Sequence, residues 1–389
     1  MKILVATGSF KDVYSPLEAA DVICSALDRE KNEVSMVPFC DGGEYTLEVL
    51  KHCFSFQEKT VEPVVNPYGK QVSSRYLMQG KEAHLVSSCI LRLFPHEDAF
   101  KNPLELTDFG YGQLISDAMS QGCTRLTLYL GGTSTVCCGM GTIQALGAKL
   151  FDTEGKLIDV PCTGADLIRI SRIELPEKDF SEIELHVVAD GNSKVDALPG
   201  ITGLKVGKSL ADQKKEIVEQ SMAGIGNVLA LTGISPEKDF TGAAGGLLFG
   251  LEQLFPNIQY TLGGLHFNRV LDIEQKVQSN DLIITGEGRY DNTADGKAPA
   301  VIAMLAKKHK KQAILVCGQI DKNAVKSYQG GVIDCSEEPQ FSQQGISRVL
   351  TCQEYFDTVS LPESYEDCIR FFREQTPLLI EKLFRKVGL

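Results

Sequence analysis

The chain is short of positive charge, with 39 Lys and Arg against 51 Asp and Glu over 389 residues and a formal net charge of -12. Such a surface repels a polyanion, which excludes nucleic acid as a partner but leaves room for a local basic pocket that takes a small phosphate. The largest basic block is Lys307, Lys308, Lys310 and Lys311. No window approaches the roughly 18 uninterrupted apolar residues of a membrane span. The opening Met1 to Ala6 runs straight into Thr7-Gly8-Ser9, too short an apolar stretch for a secretory signal. Twelve cysteines contain no C-x-x-C pair, so reduced thiols in a cytoplasmic protein are expected, not a disulfide framework. Fixed-period repeats and low-complexity linkers are missing as well. So are H-E-x-x-H, G-x-S-x-G and zinc-ligand spacings, and His52, His84, His96, His186, His266 and His309 do not cluster, which removes support for metalloprotease and α/β-hydrolase chemistry.

What is present is an ordinary globular composition, 43% hydrophobic and 23% charged, in a chain longer than one core usually organises, so two domains are expected. Short Ile/Leu/Val runs are followed by glycine-rich turns and then by helical periodicity, the pattern of an α/β fold with mainly parallel sheets. After a strand at Ile3 to Ala6, Ser15-Pro16-Leu17-Glu18 combines a capping box with proline at the first helical position, and Leu17, Ala20, Ile23 and Leu27 mark the buried face. Further strands are expected at Leu126 to Leu130, Leu185 to Ala189, Leu282 to Ile284 and Ala313 to Val316. Helices are expected at Thr142 to Leu150, Leu210 to Leu231 and Ala298 to Ala306, with two more, Tyr365 to Arg373 and Pro377 to Arg385, separated by Pro377. Residues 60 to 90, 151 to 184 and 320 to 350 read as hairpins or irregular connections. The first strands are expected to pair with the late ones, giving one discontinuous domain of residues 1–70 and 275–389, Rossmann-like or flavodoxin-like, and a second α/β domain of residues 71–274.

Four places combine small residues with polar or charged ones. Ser9-Phe10-Lys11 follows the first strand, where parallel sheets bind ligands; a solvated turn lysine explains it too. Asp41-Gly42-Gly43-Glu44 offers two hard carboxylates for Mg²⁺, or a tight turn that starts a helix. Gly131-Gly132-Thr133-Ser134-Thr135 and Thr241-Gly242-Ala243-Ala244-Gly245-Gly246 each read as a helix opening whose N–H groups could bind an anion, with close helix packing as the alternative. Thr285-Gly286-Glu287-Gly288-Arg289-Tyr290-Asp291, followed by Gly296-Lys297, gathers two carboxylates and two cations at a strand end. The nearest approach to a P-loop, Gly203 to Ser209, is one residue short of the glycine spacing and reads as a loop. Cys137-Cys138 reads as a pair of packing thiols.

With these residues in view the chain resembles the bacterial glycerate kinases of the ATP-dependent, 2-phosphoglycerate-forming type, from residue 1 to about 320. Ser9-Phe10-Lys11 matches A-P-D-S-F-K-G, and Asp41-Gly42-Gly43-Glu44 with Thr46 matches A-D-G-G-E-G-T. Gly242 to Gly246 matches G-A-A-G-G, and Asp281 to Arg289 with Asp291 and Gly296-Lys297-Ala298-Pro299 matches D-L-V-I-T-G-E-G-R-x-D with G-K-A-P. The resemblance implies two α/β domains with a cleft between them, and ATP and Mg²⁺ acting on glycerate. Asp190 and Lys11 would be catalytic. Gly131, Gly132, Thr133, Ser134, Gly242, Ala243, Gly245, Gly246 and Lys297 would hold nucleotide and phosphate. Ser9, Glu287, Arg289 and Asp291 would hold substrate, and Asp41 and Glu44 the metal.

Several positions depart from the pattern. Gly8 stands where the family has Asp, and Asp12 where it has Gly. The turn G-G-S-A-T-N-D-G-G becomes G-G-T-S-T-V-C-C-G, so that Val136 and Cys137 replace an Asn-Asp pair, and Ser193-Lys194-Val195 replaces N-P-L. A thiol is a poor Mg²⁺ ligand and valine is none. Three readings follow: phosphorylation of D-glycerate to 2-phosphoglycerate, a kinase for another small hydroxy acid, and a catalytically degenerate binding or regulatory protein. The expected partners are the small-molecule substrate and ATP; oligomeric state is left open, a homodimer included.

Overall fold

The computed structural model describes residues 1–92, 101–192, 194, 207–290, 298–320, 332–335, 341, 343–362 and 364–389. Lys297, Asp291 and Ser193 of the sequence reading lie outside them. The chain opens with β1 (Lys2–Thr7), α1 (Pro16–Ser25) and β2 (Glu33–Pro38). It continues through α2 (Thr46–Cys53), β3 (Gln57–Val65), β4 (Gln71–Gln79), β5 (Glu82–Val86), α3 (Phe109–Ser120), β6 (Arg125–Leu130), α4 (Met140–Ala145), β7 (Lys149–Asp152) and β8 (Ile170–Glu174). Next come β9 (Glu184–Ala189), α5 (Lys214–Thr232), α6 (Leu248–Leu254), β10 (Ile258–Leu262), α7 (Gly263–Val270) and α8 (Ile273–Gln278). The last part holds β11 (Leu282–Tyr290), α9 (Ala298–Lys308), β12 (Gln312–Ile320), β13 (Val332–Asp334), β14 (Arg348–Thr351) and α10 (Tyr365–Val387).

These elements form two compact units, one of Met1–Asp41 with Gly263–Leu389 and one of Gly42–Leu262. The first boundary lies closer to the N-terminus than residue 70, because β3 pairs antiparallel with β4 in the second unit's sheet. The second lies ahead of residue 274, because α7 and α8 pack on α9 of the first unit.

In the first unit the sheet order is β13-β14-β12-β11-β1-β2. All pairs are parallel except β13 with β14, as the expected pairing of early and late strands requires. Every residue of β1 after Lys2 is buried, the mark of a central parallel strand covered on both faces. Ile3, Val5, Ile314 and Val316 face α1 and α10 in one core, while Leu315 and Cys317 join Ala303 of α9 in another. The capping box at Ser15 and Glu18 is formed, with Pro16 at the start of α1.

Pro377 does not end a helix: α10 runs through it from Tyr365 to Val387. Proline removes the N–H that would bond the carbonyl four residues back, here that of Arg373. The Tyr14 hydroxyl donates to that carbonyl at 2.6 Å, and Arg373 forks onto Glu18 at 3.0 and 3.2 Å. The freed acceptor is therefore satisfied, and Ile380, Leu383 and Phe384 stay buried beyond the proline.

The second unit's sheet runs β10-β9-β6-β5-β4-β3, parallel from β10 to β5 and antiparallel from β5 to β3. The meander of β3, β4 and β5 accounts for the weak periodicity of residues 60 to 90. The helix expected over Thr142 to Leu150 is shorter, ending at Ala145, and Lys149 begins β7 paired with β8. No helix of the described residues is long and apolar enough to cross a membrane, and none of the twelve cysteines is in a disulfide.

Candidate functional site

In the second unit the parallel strands β5, β6 and β9 end side by side, and the polar residues of the sequence reading gather at their carboxyl ends, the edge where open α/β sheets bind ligands. Asp190 follows β9 and continues the ladder, its N–H bonding Leu130 O at 3.2 Å. Gly131 follows β6. A Cβ on Gly131 would lie 2.6 Å from Asp190 Oδ2 and 2.9 Å from Gly43 Cα, so glycine is needed here for close approach. A Cβ on Gly132, whose φ is +64°, would lie 3.0 Å from Glu44 Cγ and 3.3 Å from Ser88 Cβ. One glycine turn thus carries the Asp190 carboxylate on its first residue and Glu44 on its second. Arg92 Nε reaches Glu44 Oε1 at 3.4 Å. Thr133 and Ser134 stay half-buried on the same turn.

Two buried side chains that the sequence reading did not single out bond this turn and the start of the helix after it. Ser87, at the end of β5, donates from Oγ to Gly131 O at 2.9 Å and accepts from Gly131 N at 3.1 Å. Asp108, fully buried, accepts from Gly139 N at 3.0 Å and Thr142 N at 2.7 Å. The first was legible from the strand-end rule applied to β5; the second had no local signal, since it sits 31 residues from Gly139.

The helix that was expected to offer free N–H groups after Gly131-Gly132 is six residues long, and its start is already bonded by Asp108. The turn at Gly242 to Gly246 contains a short 3-10 stretch, Ala243–Gly245, and leads into the seven-residue α6, Leu248–Leu254. A Cβ on Gly245, at φ +69°, would lie 1.8 Å from Thr135 O, and one on Gly246 would lie 3.1 Å from Cys138 Sγ. Cys138 N bonds Gly245 O at 3.2 Å. The close-packing alternative therefore accounts for Gly245 and Gly246, while Gly242 is half-buried and Ala243 belongs to the core.

Val136 and Cys137, the altered positions, belong to the interior. Val136 packs with Leu104 and Ile217. Cys137 donates from Sγ to Leu106 O at 2.9 Å, and burial, with the nearby Asp108 carboxylate adding to it, pushes its thiol well above the ordinary range. Burial likewise pushes Cys138 up. These are inert packing thiols.

In the first unit, Ser9-Phe10-Lys11 follows β1 and packs on β11. Gly8 N and Thr7 Oγ1 both bond Gly286 O, at 3.0 and 2.9 Å, and Gly288 N bonds Ser9 O at 3.3 Å. The Thr285 to Tyr290 motif, expected to follow the end of the strand Leu282 to Ile284, continues it: β11 runs on to Tyr290, paired with β12 out to Ile320. Glu287 and Arg289, two residues apart on that strand, share one face. Lys11 and Arg289 are exposed. A side chain at Gly8 would meet Ala298 Cβ at 3.3 Å, which leaves little room for the aspartate of the family pattern. Asp41 ends the unit's first segment, and the main chain of Gly263 passes so near that a Cβ there would fall 1.6 Å from Asp41 O.

Among the described residues no three His, Cys, Asp or Glu side chains gather as a metal cage. Glu44 and Asp190 on one turn still fit the looser demand of Mg²⁺, which takes one or two carboxylates and completes its shell with phosphate oxygens and water.

Known proteins resemble this chain over most of its length. The model of the glycerate kinase family matches residues 3–344. A glycerate kinase of Bacillus subtilis (strain 168) is 30% identical over 354 residues, covering 85% of this chain and 88% of that protein. A glycerate 2-kinase of Escherichia coli (strain K12) is 29% identical over 346 residues, covering 85% and 89%. A crystal structure from Salmonella typhimurium LT2 assigned as a glycerate kinase 2 superposes with a TM-score of 0.67 at 24% identity, covering 100% of this chain and 98% of that one.

Proposed function

Since the chain belongs to the glycerate kinase family, we propose that it transfers the terminal phosphoryl group of ATP to D-glycerate and releases 2-phosphoglycerate. The observation that carries this reading is the turn at Gly131-Gly132, which sets the Asp190 carboxylate and Glu44 on adjacent residues at the carboxyl ends of parallel strands. Phosphoryl transfer asks little covalent chemistry of a protein and much positioning and charge compensation. Asp190 would orient the attacking hydroxyl and accept its proton. Thr133, Ser134 and the N–H of Gly132 would receive phosphate oxygens, the Gly131 N–H being taken by Ser87 Oγ, with Gly242 and Ala243 as further candidates.

Mg²⁺, bound with the nucleotide, would neutralise phosphate charge; Glu44 and Asp190 are the described carboxylates suited to hold it, and Asp41 is a third candidate. On the first unit, Lys11 would offset charge developing on the transferred group. Arg289 would clamp the carboxylate of glycerate in a bidentate pair, with Ser9 and Glu287 as hydrogen-bonding neighbours. The burial of Val136 and Cys137 in apolar packing favours an active enzyme over a degenerate one, because these changes fall in the interior and leave Asp190 and Glu44 in place.

The test is incubation of the purified protein with D-glycerate, ATP and Mg²⁺, the product position read by NMR, with Asp190→Asn in parallel. Formation of 2-phosphoglycerate, reduced ~10³-fold or more in the variant, is the expected result. Phosphorylation at the other hydroxyl, or of another hydroxy acid only, would replace the product assignment; no turnover on any hydroxy acid would overturn the reading.

A further inference from the structure

The helix that follows the Gly131-Gly132 turn is short, and its start is bonded by a carboxylate from elsewhere in the chain. Asp108 occupies the N-cap position of α3, where an aspartate ordinarily accepts from its own helix. It makes no such bond; Thr107 Oγ1 accepts from Phe109 N at 3.2 Å instead. The Asp108 carboxylate is turned to the neighbouring helix, Oδ2 accepting from Gly139 N at 3.0 Å and Oδ1 from Thr142 N at 2.7 Å. Thr142 Oγ1 returns a bond to Asp108 O at 3.0 Å. The fit is close, since a Cβ on Gly141 would come within 2.7 Å of Asp108 Oδ1.

A fully buried carboxylate is costly unless its oxygens are bonded, so the arrangement calls for a reason beyond solubility. The segment it ends is Gly131 to Cys138, which carries Thr133 and Ser134 and begins at the Ser87 anchor. Asp108 also lies close enough to Cys137 to act on its thiol, and residue 137 is where the resembled turn motif carries its own aspartate.

We propose that Asp108 is a positioning residue for the Gly131 to Ser134 turn, supplying from α3 the buried carboxylate that the altered motif lacks at residue 137. The inference rests on the kinase reading for its functional consequence, but not for its structural content. Each oxygen takes one N–H, so an amide would keep one acceptor and set an N–H donor against the other backbone N–H.

The experiment compares the full chain with Asp108→Asn, and with Asp108→Asn combined with Cys137→Asp, by residue-resolved amide hydrogen exchange and steady-state kinetics. In Asp108→Asn, exchange at residues 131–142 is expected to rise ~10-fold or more while the rest of the second unit stays within ~2-fold. The KM for ATP is expected to rise ~10-fold with the KM for glycerate within ~2-fold, a split that a mere loss of folded protein does not produce. Returning a carboxylate with Cys137→Asp is expected to recover part of both effects. Should the amide variant not fold, Asp108→Ser, whose hydroxyl can accept one of the two bonds, takes its place. Unchanged exchange at 131–142, a uniform rise across the unit, or equal shifts of both KM values would overturn the proposal. If the parent protein phosphorylates nothing, the kinase reading falls by itself and the exchange pattern still decides the role of Asp108.

Discussion

The two glycine turns of the second unit look alike as sequence, yet they use glycine for different ends. At Gly131-Gly132 the missing side chains admit the Asp190 carboxylate and Glu44, the groups proposed to act on substrate and metal. At Gly245-Gly246 they admit the backbone of Thr135 and the side chain of Cys138, so the turn is spent on holding its neighbour. Absence of a Cβ is an opening only when what enters the space has chemistry left to offer; otherwise it is a packing device.

The pair Gly245→Ala and Gly131→Ala breaks this comparison most directly. In the first, the new methyl meets a backbone carbonyl at 1.8 Å on a residue with positive φ, and neither can yield cheaply. A loss on the order of 4 kcal/mol is expected, read as a lowered midpoint in denaturant. In the second, the nearest approach, 2.6 Å, is to the end of the Asp190 side chain, which can turn aside, while the Gly43 main chain at 2.9 Å has to give by much less than Thr135 O. There kcat/KM is expected to fall ~50-fold while stability changes by about 2 kcal/mol. Equal stability losses, or a larger catalytic loss in Gly245→Ala among folded protein, would remove the distinction.

A pH series sharpens it further. Burial raises the Asp108 carboxyl to about 6, its backbone partners opposing the rise, from the ordinary 3.8 of an unfolded chain. Between these values the folded state holds a proton that the unfolded state has lost, so stability falls as pH rises from 4 to 6 and is flat above. The thiols near it, Cys137, Cys138 and Cys162, are all pushed up by burial and do not titrate in that window. Relative to Asp108→Asn, the parent protein is expected to lose about 3 kcal/mol between pH 4 and pH 7. Parallel curves for the two proteins would mean that the carboxyl is not held as described.

The smallest effect is expected at Cys137→Ser. The hydroxyl keeps a donor toward Leu106 O, where the thiol now bonds at 2.9 Å, so stability should shift by about 1 kcal/mol or less and kcat/KM by less than ~2-fold. A large catalytic loss would show that the thiol has a chemical part to play.

Much of the molecule was legible in order along the chain. β1, the capping box at Ser15, β6 and β9 stand where local pattern put them, and Gly131, Asp190 and Glu44 were named before their proximity could be seen. The misreadings share a cause in contacts from distant residues. Helix α10 passes through Pro377 because Tyr14 takes the carbonyl that proline leaves without a donor. Residues Thr285 to Tyr290 are strand because β12 extends beside them. α4 stops at Ala145 because β8 claims Lys149 to Asp152.

Periodicity, caps and motif order are local properties of the chain, and they were enough for the alternation of strands and helices, the family, and the residue types that could carry phosphoryl transfer. The folded chain adds which glycine turn opens beside carboxylates, that Val136 and Cys137 are interior, and that Ser87 bonds Gly131 while Asp108 bonds the helix start at Gly139 and Thr142. Those outcomes depend on approaches of a few ångströms between residues tens of positions apart, and no local propensity encodes them.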